Sequence, residues 1–350
     1  MTTKKQTAIP HVGLDDGHYS IKVCAGKDKC YTIRSRAMYG IFESANLYTG
    51  ETNDSNTYSV DETEFTIAGS SNAYGEKVID LKSLKKPIYP LSDVNAVLSI
   101  HAMAEAGIHG DVTVVTGLPF LEYFLTNRKR NEELIEAKKL NYNRKIRNYG
   151  GLALPNVVSH EVMPEGTGAY LDLLFDFDGN QVAEIAEASS IQPISIVDIG
   201  GKTTDIVTIA ANGVDIIQQR SNTVNFGALD LNEKVSALIK TALKLESYPT
   251  PAAIEKAIME NTYAARGQLH DVSDVVKNAT KMHARKLRDE VVKVLTHAED
   301  IGRICFVGGG SHIFKEDLKE LYGDQSYFVK DPEFSNARGF FKAKFISHAE

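Results

Sequence analysis

The feature that most restricts the fold of this chain is a short pattern written twice. A strand around Val12 to Leu14 runs into the tight acidic turn Asp15-Asp16-Gly17 and returns as a strand through Ile21 to Val23. The same grammar follows Ile194-Ser195-Ile196-Val197, where Asp198-Ile199-Gly200-Gly201-Lys202-Thr203-Thr204-Asp205 leads into Ile206-Val207-Thr208-Ile209. A β-hairpin with a carboxylate at its corner, near the start of each half, predicts two related lobes. Their junction is expected near Glu184 to Gln192, after Asp176-Phe177-Asp178-Gly179-Asn180 interrupts the regular pattern. The 350 residues suffice for two domains, and a 43% hydrophobic content can give each a core.

Between and after the hairpins, helices alternate with strands, which indicates an α/β architecture. Val112 to Val115 is a β-branched run ending at Gly117 and Pro119, and Leu121 to Lys145 has helical composition with many charges. Val272, Val275, Val276, Ala279 and Met282 fall at helical spacing after the N-cap candidate Asp271, and Leu287, Val291, Val294 and Leu295 extend the stripe. A strand Ile304 to Val307, the triple glycine Gly308-Gly309-Gly310 and a helix from Ser311 to about Tyr322, closed by Gly323, complete this half.

Composition narrows the function. The opening stretch Met1 to Pro10 carries Lys4 and Lys5 without a following apolar run, so no signal peptide or membrane span is expected and the cytoplasm is the default compartment. Cys24, Cys30 and Cys305 are odd in number and lack metal-ligand spacing, which disfavours a disulfide framework or zinc site. The ten histidines show no paired ligand spacing, and no hydrolase triad can be recognised. A formal charge of −7 argues against direct DNA binding. The basic clusters Arg128-Lys129-Arg130 and Arg144-Lys145-Ile146-Arg147 are read as a solvated helix face or subunit contact, because Glu132, Glu133 and Glu136 lie among them.

The chemistry concentrates at the turns. A glycine-rich turn lets backbone N–H groups converge on phosphate oxygens, and Gly200-Gly201-Lys202-Thr203-Thr204 adds a cation and two hydroxyls. Asp15 and Asp198 each follow a strand, where a carboxylate can hold waters of a phosphate-bridging Mg²⁺. One Asp-Gly turn alone is an ordinary hairpin corner, but turn formation requires neither the threonine pair nor Asp205. Gly308 to Gly310 suits close approach by a sugar, base or α-phosphate at a helix N-terminus, or simply a tight strand-to-helix connection. Met163-Pro164-Glu165-Gly166-Thr167 puts Glu165 in the first turn of an expected helix, as a helix-capping carboxylate or as a group that orients or deprotonates an attacking water.

These residues resemble the actin, Hsp70 and sugar-kinase superfamily. Asp15-Asp16-Gly17 through Ser20, Ile21 and Lys22 is similar to its first phosphate loop, Asp198 to Asp205 to its second, and Gly308 to Gly310 to its adenosine loop, while Glu165 lies in a segment like its first connecting helix. The resemblance narrows to the plasmid-segregating filament proteins of the ParM/StbA type. It does so through the doubled Asp15-Asp16, Val114-Val115-Thr116-Gly117-Leu118-Pro119-Phe120-Leu121-Glu122-Tyr123, Lys138-Lys139-Leu140-Asn141-Tyr142 and Val162-Met163-Pro164-Glu165. Asn336-Ala337-Arg338-Gly339 resembles the second connecting segment. One departure is His18-Tyr19-Ser20, where the superfamily often has a hydroxyl residue directly after the glycine.

The resemblance implies a bilobed actin-like α/β fold of two ribonuclease-H-like domains around a nucleotide cleft, with domain I over 1–187 and 335–350 and domain II over 188–334. It implies an ATPase whose head-to-tail filaments are favoured by ATP (or GTP) with Mg²⁺ and weakened by hydrolysis. Asp15, Asp198 and Glu165 are the expected catalytic residues, the two aspartates holding Mg²⁺ through water. Asp16, Gly17, Ser20, Lys22, Gly200, Gly201, Lys202, Thr203, Thr204 and Gly308 to Gly310 are the expected nucleotide contacts. The expected partners are further copies of the chain and an adaptor bound to centromere-like plasmid DNA, with no membrane involved. The alternatives are a small-molecule kinase of the same superfamily and a non-hydrolysing structural filament. A chaperone-type ATPase is disfavoured on the expectation that a chain ending at Glu350 has no separate peptide-binding domain.

Overall fold

The structure, a computed structural model, describes residues 9–42, 48–50, 56–68, 78–81, 83–84, 88–296 and 298–348. The opening segment with Lys4 and Lys5 lies outside the described residues. The chain divides into two compact units, Met1–Val182 with Phe334–Glu350, and Ala183–Glu333.

In the first unit, β1 (His11–Asp16), β2 (Ser20–Cys24) and β3 (Cys30–Arg34) form an antiparallel meander. β4 (Ala37–Tyr39), β5 (Thr57–Val60) and β6 (Thr63–Ile67) begin a second sheet, and α1 (Asp93–Glu105) follows, capped by Ser92, whose side chain accepts from Asn95 N–H. β7 (Gly110–Leu118) pairs parallel to β1. The helices α2 (Phe120–Tyr123) and α3 (Glu132–Asn141) lead to β8 (Ile146–Asn148), β9 (Pro155–Pro164) and α4 (Thr167–Leu174). The main sheet has the order β3-β2-β1-β7-β9, and β4-β6-β5-β8 form the second. Val12, Leu14, Ile21, Val23, Val112 and Val114 are buried against Val94, Val97, Leu98 and Met103 of α1. Those apolar positions alternate along each strand, so one face of the sheet builds this core.

The second unit repeats the plan. After α5 (Ala183–Ile191), β10 (Ile194–Ile199) and β11 (Thr204–Ile209) form the second hairpin, followed by β12 (Asn222–Val224), α6 (Ala228–Ala242) and α7 (Pro251–Glu260). The small hairpin β13 (Thr262–Ala265) and β14 (Gln268–Asp271) precedes α8 (Ser273–Leu295), β15 (Arg303–Val307), α9 (Gly310–Tyr322) and β16 (Ser326–Phe328). The sheet order is β12-β11-β10-β15-β16, with β10, β15 and β16 parallel. An antiparallel hairpin followed by parallel strands therefore recurs in both units. Every residue of β10 is buried, as a central strand covered on both faces requires.

Three sequence expectations are corrected. The helical stretch Leu121 to Lys145 is broken: Phe124 bridges to Arg130, Arg128 takes a φ of 66°, and the Asn131 side chain accepts from Leu134 N–H to start α3 afresh. Asp271 is not the N-cap of α8; that position is Val272, while the Asp271 carboxylate accepts from Ser273 N–H at 2.8 Å. Met282 leaves the buried stripe and is 64% exposed, because the face through Val276, Ala279, His283 and Leu287 places it outward.

Candidate nucleotide-binding residues

In the first unit the parallel strands β1, β7 and β9 end on one edge of the sheet. Leu14 is level with Thr116, and Gly117 and Leu118 with Met163 and Pro164, so Asp15, near the end of β1, and Glu165, just after β9, lie at the same edge. With β7 between them, the backbones are roughly 10 Å apart from the usual strand spacing. In open α/β sheets ligands bind outside the carboxyl ends of the strands. Glu165 is not in a first helical turn: Pro164 ends β9, and Gly166, with φ 83°, caps α4. Its N–H donates to Leu118 O at 2.8 Å. Gly117 leaves room for its side chain, since a Cβ there would lie 2.7 Å from Glu165 Cγ.

Asp15 and Lys22 are register partners across the hairpin, and Lys22 Nζ donates to Asp15 Oδ2 at 3.0 Å. Gly17 is held by its carbonyl, which accepts from Ser35 Oγ at 2.6 Å and Tyr89 OH at 3.4 Å. His18, the departure from the superfamily pattern, packs its ring on Tyr89 with centroids 4.6 Å apart. Ser20 starts β2 and is buried.

Asp16 turns the other way. Its carboxylate, expected to face a nucleotide, accepts from Lys138 Nζ at 2.8 and 2.9 Å, from Asn95 Nδ2 at 2.9 Å and from Tyr142 OH at 3.3 Å. Burial pushes this carboxyl up, but the Lys138 charge and hydrogen bonds outweigh that and hold it below the ordinary carboxylate range. Lys138 is itself only 1% exposed. A buried ion pair survives only where further hydrogen bonds satisfy its members, which Asn95 and Tyr142 supply here. Asn141 anchors the same corner by donating to Ser92 O at 3.2 Å. Nothing in the local sequence signals this network, since Lys138 lies 122 positions from Asp16.

In the second unit, the turn Gly200 to Thr203 closes through Gly200 N–H donating to Thr203 O at 2.9 Å. Its glycine carbonyls accept from the first N–H groups of α6, Ala228 to Gly200 at 2.9 Å and Leu229 to Gly201 at 2.8 Å. With its carbonyls thus engaged, the turn leaves the N–H groups of Gly201, Lys202 and Thr203 without an acceptor among the described residues, and the Lys202 ammonium likewise has no ion-pair partner there. Three unused donors and a cation on one turn form an anion-seeking surface. Thr204 donates from its hydroxyl to Phe226 O at 2.7 Å, which fixes the turn to the segment before α6.

Asp198 and Asp205 are cross-strand partners, on the sheet face opposite the core residues Val197, Ile199 and Ile206. Asp205 accepts from Thr223 Oγ1 at 2.6 Å and Thr203 Oγ1 at 3.4 Å. Asp198, the last residue but one of β10, lies beside Gly308, which has a φ of 77° and whose added Cβ would collide with Asp198 Oδ1. The second turn and the triple glycine therefore meet at the carboxyl edge of this sheet. One turn further, a groove of about 390 Å³ is lined by Asn261, Lys277, Thr280, His312, Ile313 and Asp317 among others. Burial raises the Asp317 carboxyl. His312 Nε2 lies 3.0 Å from Glu333 Oε2. These groove residues come from the C-terminal end of α7 and the residue after it, from α8 and from α9, and no short-range motif marks them.

No cluster of three or more histidine, cysteine or acidic side chains able to hold a metal occurs among the described residues. No helix there is long and apolar enough to cross a membrane.

Comparison with known proteins follows this division. Residues 11–174 match the family model described as plasmid segregation protein ParM, N-terminal. Residues 196–320 match the model described as archaeal actin homologue MreB-like, C-terminal. Archaeal actin homologs of Thermoplasma acidophilum and Thermoplasma volcanium are each 23% identical over 258 residues, covering 68% of this chain and 71% of the relative. Among solved structures, an archaeal actin homolog superposes with a TM-score of 0.76 at 20% identity, covering 96% of this chain and 99% of the other. Its complex with ADP gives 0.73 at 20% identity, with the same coverage. A 15-stranded ParM filament from Clostridium botulinum gives 0.73 at 18% identity over 97% and 99% of the two chains. At these identities the structural likeness is one of fold.

Proposed function

Because this chain is a member of the actin-like ATPase superfamily, with the actin-like fold, we propose that it is a nucleotide-dependent polymerising ATPase whose filaments segregate plasmid DNA. The observation that carries the reading is the Gly200–Thr204 turn, with three backbone donors and Lys202 unengaged beside Asp198 and Gly308. A polyphosphate supplies the acceptors that such a turn lacks. A solved relative in complex with ADP and another solved as a filament agree with nucleotide binding and self-assembly.

In this reading Gly201, Lys202 and Thr203 hold phosphate oxygens, and the triple glycine with its adjoining groove takes the sugar and base. Lys22 and Asp15 present a paired cation and anion at the first turn. Asp15 at the first turn and Asp198 at the second are each proposed to hold water ligands of a Mg²⁺ ion that would come with the nucleotide phosphates. When bound, that ion neutralises charge developing on the transferred phosphate. Glu165, at the carboxyl edge, orients the attacking water and accepts its proton. The Asp16–Lys138 network fixes the first turn from behind instead of touching the nucleotide.

Filaments form head to tail in the cytoplasm, ATP favouring and hydrolysis weakening them, and reach plasmid DNA through an adaptor. Light scattering with parallel phosphate release, run with ATP and with GTP, tests this. The reading expects nucleotide-triggered scattering followed by phosphate release and decay. Phosphate transfer to an added small acceptor without scattering would instead establish a kinase.

A further inference from the structure

We propose that Cys24 and Cys30 form a dithiol site that a peroxide oxidises to a cross-strand disulfide, altering the packing of the helix Ser335–Lys342 against it. The two residues are direct register partners of β2 and β3. Ala25 N–H donates to Lys29 O at 2.9 Å. Residues 25 and 29 therefore form the hydrogen-bonded position, and the next pair outward, Cys24 with Cys30, is the non-hydrogen-bonded one. Side chains at such pairs approach most closely, with Cα atoms about 4.5 Å apart, inside the disulfide range of about 4.4–6.8 Å. Both thiols also reach one acceptor, Gly26 O, from Cys24 Sγ at 3.5 Å and from Cys30 Sγ at 3.9 Å.

The surroundings suit thiolate chemistry. The hydrogen bond between the two thiols lowers Cys24 and, with burial, raises Cys30, so Cys24 is the member that ionises first, and Arg338 favours the thiolate at either sulfur. Cys30 is partly exposed, which gives a small oxidant a route to the pair. Cys24 packs with Ala337 and Phe341, and Arg338 and Lys342 of the same helix bind Asp172 at 2.8 and 2.7 Å. Drawing the sulfurs into a covalent bond changes their packing against that helix.

The reaction balances with hydrogen peroxide as oxidant. One sulfur, as thiolate, attacks a peroxide oxygen; the O–O bond breaks, a sulfenic acid forms and the first water leaves. The second sulfur displaces the hydroxyl group, the S–S bond forms, and the second water carries off the remaining proton. Cys305 is an internal control, since it is fully buried and burial pushes its thiol up to about 12.

The test oxidises the purified chain with hydrogen peroxide, blocks remaining thiols after denaturation, and maps the peptides. One free thiol, at Cys305, and an intramolecular Cys24–Cys30 link reversed by dithiothreitol are expected, and Cys30→Ser should form no intramolecular link. Amide exchange of residues 337–341 should be several-fold faster in the oxidised form. Three free thiols after oxidation, a link between molecules or loss of Cys305 first overturns the site. Unchanged exchange overturns its effect on the helix.

Discussion

Gly308 stands against Asp198: the one, lacking a Cβ, leaves the space that a carboxylate oxygen of the other occupies. The end of β10 and the start of the triple glycine are thereby locked into one surface. A side chain at Gly308 meets both that carboxylate and the Ile199 carbonyl in a conformation that L-residues seldom adopt. Gly308→Ala is expected to destabilise the second unit by about 1–3 kcal/mol, the range for imposed backbone strain. It should weaken binding of a fluorescent purine nucleotide tenfold or more, as read by anisotropy.

Lys138 should matter for stability well before it matters for chemistry. Removing one member of a buried, hydrogen-bonded ion pair leaves the other uncompensated, at a cost of about 3–5 kcal/mol. Lys138→Met should lower the unfolding free energy obtained from denaturant titration by that amount. Adding Asp16→Asn should recover part of the loss, because the orphaned charge is gone. A fully additive double mutant would disprove the coupling.

The buried histidines set an acid-side dependence. Burial lowers His101 and His160 to about 4, and the Lys138 charge adds to the effect at His160. Unfolded histidine titrates near 6.5. The unfolded chain then binds more protons between these values, so stability is full at about pH 7 and falls as pH drops from about 6.5 to about 4. Asp16, with its carboxyl depressed, extends the loss further, its contribution disappearing as pH falls through that lowered value. Chemical denaturation across this range should show the decline, and His101→Gln or His160→Gln should flatten it.

Glu165→Gln keeps the size of the side chain at the end of β9 and removes its basicity. Nucleotide binding and assembly should persist while phosphate release slows about a hundredfold, within the range for losing a general base. Unchanged turnover would remove Glu165 from the chemistry.

Local features carried most of the legible information. Both hairpins, the strand Ile304 to Val307 and the helix ending at Gly323 were readable because apolar periodicity and turn residues are encoded within a few positions. The break in Leu121 to Lys145 was not, because Asn131 can sit within a helix or cap one and its Leu134 contact decides between them. Pro164 misled for a similar reason: it suits a first helical turn, yet here it ends a strand and Gly166 makes the corner. Asp16 shows the harder limit. Its neighbours in sequence suggest a ligand-facing carboxylate, whereas its partners Asn95, Lys138 and Tyr142 arrive from α1, α3 and the residue after α3, distances over which sequence spacing carries no signal.

The central claim is that the Gly200–Thr204 turn grips the phosphates of a nucleotide, and equilibrium titration with a fluorescent ATP analogue and Mg²⁺ tests it most directly. Saturable binding, displaced by unlabelled ATP and weakened at least tenfold in Lys202→Ala, is predicted. Absence of binding by the folded wild-type protein to any purine triphosphate, or equal affinity in the variant, would contradict it.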